Sequence, residues 1–250
     1  MKILMPLPDT DFCVTESSVP WKVLTRAGHT VVFATEEGKK PAGDPLLLGG
    51  LPFGLGAKPD AAACYAEMTS SFASVRRFDE LDPREFDGLL LAGGHAPGMR
   101  QYLGSSLLQS KVAEFWALKR PVAAICHGVL LLARSHGADG RSVLDGKRTT
   151  CLPKYMERTA YFLTAWKLGR YYRTYDAYVE DEVRAAGARF ERGPLTLVRR
   201  GSDGDDRGAF IVDDGNYVSA RWPGDAWLLA KRFLHKLDAH AKHPNAEEAA

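Results

Sequence analysis

The sequence is poor in cysteine: four in 250 residues (Cys13, Cys64, Cys126, Cys151), widely spaced and without a C-x-x-C pair. That pattern excludes a disulfide framework, which a chain of this size does not need, and points to a reduced, cytoplasmic protein. No apolar run approaches the roughly 20 residues that span a bilayer, so no membrane partner is expected. The opening "MKILMPLPDTD" has one lysine and no small-residue cleavage pattern, and reads as a first strand rather than a secretory leader. Charge of one sign is missing as well. The formal net charge is only +2, there is no long basic stripe, and short clusters such as Arg199-Arg200 read as solvated surface. Nucleic acid is therefore not the expected partner. Neither an internal repeat nor a linker between two cores is visible.

What is present is an alternation of strands and helices. "KILMPLP" reads as a buried strand. "ESSVPWKVLTRAG" reads as a helix with Pro20 in its first turn and Gly28 at its stop, and "HTVVFAT" as a second strand. Residues 36–82 lose clear periodicity and are dense in Gly and Pro, the mark of either a lid-like insertion or a packed surface excursion. "FDGLLLAGG" resumes as a strand. "SSLLQSKVAEFWALKR" is an amphipathic helix, with Leu108, Val112, Phe115 and Trp116 at i, i+4, i+7 and i+8. "PVAAIC", "HGVLLLARSH", "GKRTTCL", "KYMERTAYFLTAWKLG" and "YVEDEVRAAG" continue the alternation. "LTLVRR" and "GAFIVDDGNYVSAR" follow, with a turn at Gly215-Asn216, and "PGDAWLLAKRFLHKL" closes as a helix. The expectation is one doubly wound α/β domain over residues 1–238, with a mostly parallel sheet flanked by helices and a polar tail over 239–250.

In such sheets ligands sit beyond the carboxyl ends of the strands, near the point where strand order reverses. Three stretches fall there: residues 9–16, "AGGHAPG" and "AICHG". Cys126 stands where a strand would turn sharply into a helix, with a small residue two before and Gly128 two after. A nucleophile elbow needs both, and a helix start favours thiolate. The plainer alternative is a buried cysteine acting as a small hydrophobe. His127 can serve as base if the turn folds its ring back to the thiol; otherwise it is a capping or surface residue. Glu16 can be held protonated near the thiol and donate to it, or can simply sit favourably at a helix start. Gly93 and Gly94 let backbone amides approach a ligand closely, as an oxyanion site requires, with His95 beside them. His95, Cys126 and His127 could converge on zinc, but their spacing matches no standard structural site, so no metal is expected. The glycines do not form G-x-G-x-x-G before a helix, which argues against a dinucleotide.

These residues resemble the ThiJ/PfpI superfamily, whose fold is flavodoxin-like and shared with class I glutamine amidotransferases. "TESSVPWKVLTRAGHTVVFAT" looks like its opening, where a glutamate just before the first helix contacts the reactive cysteine; Glu16 matches. "FDGLLLAGGHAPG" resembles its glycine-rich turn, and "RPVAAICHGVLLLA" its elbow, with Cys126 as nucleophile and His127 as neighbour. "GKRTTC", "VEDEVRAAGARFERGP" and "DGNYVSARWPGDAWLLAKRF" resemble the segments that follow. The long segment after strand two is similar to the heat-shock chaperone and glyoxalase III branch. That likeness implies a Cys-His-acid triad, cofactor-free conversion of methylglyoxal to lactate, and a homodimer. Glu157 is the nearest match for the acid. The aromatic and basic residues Trp166, Tyr171, Tyr172, Arg173 and Tyr175, where the pattern departs from the family's, could line a pocket or pack a longer helix. Amidotransferases carry a separate histidine and glutamate two residues apart near the C-terminus, a pair missing here.

The expected function is a cysteine-dependent enzyme acting on a small carbonyl compound or a C–N bond. Catalysis would fall to Cys126, His127, Glu16 and Glu157, with Gly93, Gly94, His95 and Gly128 around the substrate. The alternatives are a stress-response chaperone or redox sensor with an oxidisable cysteine, and an intracellular peptidase or amidase.

Overall fold

Short apolar runs bounded by Gly and Pro pair into one central sheet. In this computed structural model, which describes residues 1–49, 56–195 and 200–242, its strands are β1 (Lys2–Pro6), β2 (Thr30–Thr35), β3 (Val75–Arg77), β4 (Gly88–Leu91), β5 (Val122–Ile125), β8 (Ile211–Asp214) and β9 (Tyr217–Ala220). Their order is β3-β2-β1-β4-β5-β9-β8. All neighbours run parallel except β8, which returns against β9. Gly215, with φ 60°, makes that tight turn possible. Both β4 and β5 are buried along their whole length, which is why "GLLL" and "VAAI" lack the alternation of a half-exposed strand.

The helices are α1 (Val14–Arg26), α2 (Pro45–Leu48), α3 (Pro59–Met68), α4 (Met99–Gly104), α5 (Ser106–Ala117), α6 (Val129–Arg134), α7 (Lys154–Leu168), α8 (Val179–Ala185) and α9 (Ala226–Lys242). On α5 the buried residues are Leu108, Val112, Phe115 and Trp116, the stripe its periodicity predicts. Two helical layers form: α1 packs against α3 and α9, and α6 against α5 and α8. Right-handed crossovers put helices on opposite faces when strand order reverses, and here it reverses at β1, between β2 and β4. A crevice opens there at the carboxyl ends of the strands.

Several boundaries differ from expectation. α1 begins at Val14, so Glu16 lies inside its first turn rather than before it, and Pro20 sits in the helix interior. Pro20 there lacks the N–H that would bond the Glu16 carbonyl. Within residues 36–82, α3 packs on α1 and β3 extends the sheet at its edge, while residues 50–55 lie outside the described residues. β6 (Arg148–Thr149) pairs with β7 (Arg189–Phe190) in a separate small sheet. The closing helix runs to Lys242, past the expected end at 238, because no glycine or proline interrupts the sequence between Leu237 and Lys242. Most of "LTLVRR" (196–199) and the tail 243–250 lie outside the described residues.

A buried ion pair joins the end of β9 to the start of α9. Arg221 Nε donates to Asp225 Oδ2 at 2.8 Å and Nη2 donates to Oδ1 at 2.9 Å, and both side chains are fully enclosed. Removing one partner strands the other charge. Asp225→Ala is expected to destabilise the fold by about 3–5 kcal/mol, read from urea unfolding.

Candidate active site

The end of β5 builds the centre. Ile125 is extended (φ −136°, ψ 141°), Cys126 swings to φ 57°, and a 3-10 turn over Cys126–Gly128 leads straight into α6. A non-glycine residue held in the left-handed region costs on the order of 1–3 kcal/mol, so the surroundings must impose it. Gly128 shows how: a Cβ there would lie 2.3 Å from the Leu91 carbonyl oxygen and 2.7 Å from that of Ala92. Only glycine lets the start of α6 approach the end of β4 so closely. The turn lifts the Cys126 side chain off the sheet edge, with the His127 backbone N–H against its sulfur.

The loop after β4 forms the second wall. A Cβ on Gly93 would meet Glu16 Oε2 at 2.6 Å and Cys126 Cβ at 2.8 Å, so glycine here lets three segments converge. This loop is tied to the one after β1. The Cys13 amide donates to the Gly93 carbonyl at 2.8 Å, the Gly98 amide donates to Asp11 Oδ2 at 2.8 Å, and Asp9 and Gln101 exchange hydrogen bonds at 3.0 Å. Together they place Glu16, Gly93, Gly94 and His95 around the thiol.

Two imidazole nitrogens face the sulfur: His127 Nδ1 at 3.5 Å and His95 Nε2 at 3.6 Å. Thr174 settles the tautomer of His127. Its hydroxyl donates to the His95 carbonyl at 2.6 Å, so toward His127 Nε2, at 3.3 Å, it can only accept. The His127 proton therefore sits on Nε2, and Nδ1 offers its lone pair to the thiol.

Burial keeps every titratable group of the cluster neutral. Cys126, His127 and Glu16 have essentially no solvent contact, and His95 is partly exposed. Burial pushes the Cys126 thiol well up and His127 well down, the latter helped by His95, Arg134 and Arg173. His95 is pushed down to about 4 by burial. Burial also pushes the Glu16 carboxyl up to about 8, which the neighbouring Cys126, Arg200 and Gly93 amide only partly offset. Neither Glu16 oxygen reaches regular hydrogen-bond geometry, so the carboxyl faces the thiol as a close but loosely aligned neighbour.

Of the residues expected from sequence, Cys126, His127, Glu16, Gly93, Gly94, His95 and Gly128 are brought together. Glu157 is not. Its Oε1 accepts from Arg173 at 2.7 Å and its Oε2 from the Val179 amide at 3.1 Å, so both oxygens are spent away from His127. The partner of His127 is Thr174, next to Arg173; Glu157 braces the segment that carries it. Trp166 projects from α7 at 76% exposure, and Tyr175 stacks under Arg134. Tyr172 meets the His95 ring edge-on at 5.9 Å, and both Tyr171 and Tyr172 donate to the buried Asp44. Arg200, read from sequence as solvated surface, is instead tucked over Trp222 with its charge reaching Glu16, while Arg199 lies outside the described residues. No sequence signal marks Thr174 or Asp44, because each acts through a contact across the fold.

Glu16 has a measurable consequence. Its folded pKa lies above the ordinary 4.5, so between pH 4.5 and about 8 the native state holds a proton that the unfolded chain gives up. Stability therefore falls as pH rises through that window. Glu16→Gln is expected to remove this dependence, with a gain over wild type that is absent below pH 4.5 and grows to a few kcal/mol near pH 8, measured by denaturant unfolding across pH.

Comparison with known proteins identifies the family and the fold. A model of the ThiJ/PfpI-like family matches residues 7–194. An uncharacterised protein of Schizosaccharomyces pombe is 28% identical over 256 residues, covering 97% of this chain and 86% of that protein. A glutathione-independent glyoxalase of the same yeast is 25% identical over 88% of this chain and 87% of its own length. A deglycase of Thermococcus kodakarensis is 28% identical over 64% and 68% respectively. The crystal structure of glyoxalase III from Candida albicans superposes with a TM-score of 0.71 at 19% identity, over 94% of this chain and 97% of that one, which shows a shared fold. Among the described residues no helix is long and apolar enough to cross a membrane. The chain belongs to the ThiJ/PfpI-like family.

Proposed function

We propose that this protein is a cofactor-free, cysteine-dependent enzyme that converts a small 2-oxoaldehyde such as methylglyoxal to the corresponding 2-hydroxy acid. The observation that carries the reading is Cys126 on its left-handed turn, with two neutral imidazole nitrogens 3.5 and 3.6 Å from its sulfur. The glyoxalases among the relatives and solved structures support the substrate class.

The chemistry follows from the neutral resting state. His127 Nδ1 takes the thiol proton as sulfur adds to the aldehyde carbon, giving a hemithioacetal; the imidazolium is stabilised through its Nε2–H to Thr174. Backbone N–H groups near Gly94 and Gly128 face the developing oxyanion. His95, on the other side of the sulfur, carries a proton from the aldehyde carbon to the neighbouring carbonyl carbon through an enediol, leaving a thioester on Cys126. Water then releases the hydroxy acid, so the net change is addition of one water. Glu16, protonated below about pH 8, donates toward sulfur when it carries charge.

Enclosure of the thiol favours a small free aldehyde over a bulky glycated side chain, since only His95 of the cluster reaches solvent. It also weighs against a peroxide sensor, which needs an accessible, low-pKa thiol.

The test is lactate formation from methylglyoxal. Cys126→Ala is expected to lower kcat/KM by on the order of 10³-fold or more. Unchanged lactate production would overturn the mechanism, and turnover absent in wild type would overturn the substrate class. Thr174→Val is expected to lower kcat about tenfold with little change in KM, because His127 loses its preferred tautomer rather than a substrate contact. Glu157→Gln should instead lower the melting temperature.

A further inference from the structure

His95, Cys126 and His127 have a second capacity that their catalytic reading does not use. The three offer one sulfur and two nitrogens that all lie within 4.8 Å of one another, and no other group of three His, Cys, Asp or Glu side chains among the described residues does so. A tetrahedral zinc ion, at about 2.3 Å from sulfur and about 2.0–2.1 Å from nitrogen, sets each sulfur–nitrogen pair about 3.5 Å apart. The observed separations are 3.5 Å to His127 Nδ1 and 3.6 Å to His95 Nε2. The two nitrogens must close to about 3.3 Å, a movement the partly exposed His95 can supply.

The surroundings are those of a metal ligand. His127 presents an unprotonated Nδ1 toward the shared point while its Nε2–H is held by Thr174, the outer hydrogen bond that orients ligating histidines. One thiolate and two imidazoles suit zinc in preference to magnesium or calcium, which demand oxygen.

We propose that Cys126, His95 and His127 form an inhibitory zinc site. Binding replaces the thiol proton: Cys126–SH and Zn²⁺ give a zinc thiolate and one released proton. The ion takes the sulfur lone pair that would attack a carbonyl, so occupancy silences the protein reversibly. The inference rests on the enzymatic reading only for that consequence; the site itself does not.

The experiment is equilibrium dialysis of the full chain against zinc chloride with a competing chelator, followed by metal analysis, for wild type, Cys126→Ala and His95→Ala. A cobalt(II) titration serves as a spectroscopic probe. One zinc per chain is expected in wild type, none retained in Cys126→Ala, and affinity at least about tenfold weaker in His95→Ala. Cobalt should give a thiolate charge-transfer band in wild type that Cys126→Ala lacks. Zinc well below one equivalent, equal zinc in Cys126→Ala, or undiminished affinity in His95→Ala overturns the site. Far-UV circular dichroism confirms that the variants fold. None of these readouts uses turnover, so loss of the zinc site and loss of the glyoxalase reading are distinguishable.

Discussion

The close approach of α6 to the end of β4 governs the rest of the site. Gly128 sits against the Leu91 and Ala92 carbonyl oxygens with no room for a side chain, so the chain leaving β5 must turn within two residues. Cys126 absorbs that turn in a left-handed conformation that a cysteine does not adopt unaided. Its sulfur is thereby raised to the level where the loops after β1 and β4 meet, and those loops are drawn together by the Cys13–Gly93 and Gly98–Asp11 hydrogen bonds. A reactive group, a carboxyl and two imidazoles converge because one helix start has nowhere else to go.

Convergence in a closed space then sets the electrostatics. Desolvation penalises whichever form is charged, so it raises Cys126 and Glu16 and lowers His95 and His127 together. A cluster that a sequence motif would suggest is a thiolate–imidazolium pair rests as four neutral groups. The same lone pairs that make it poised for proton transfer also make it a soft-metal ligand set. In the readings proposed above, carbonyl chemistry and metal capture would compete for a single sulfur.

Periodicity and turn chemistry made most of the architecture legible. The buried stripe of α5, the fully apolar β4 and β5, and the Gly215-Asn216 turn are local patterns that the chain expresses wherever it folds. Boundaries were less legible. The start of α1 was read two residues late because Pro20 resembles a first-turn residue, and only the sheet edge shows β3 to be a strand. Glu157 was the nearest match for the acid that the family resemblance implies, yet Arg173 and the Val179 amide occupy its oxygens.

The sequence by itself determined the alternating α/β order and the elbow at Cys126, since small residues on either side of a cysteine between an apolar strand and an apolar helix leave few other geometries. It also placed His95 and His127 just past the ends of their strands, and Glu16 in the segment that follows the first strand. Which group partners His127 was decided only by the tertiary structure. Thr174 lies 47 residues away and is brought in by packing of the segment after α7, so no local pattern could announce it. The protonation states were decided there too, because burial is a property of the whole fold and not of any residue in it.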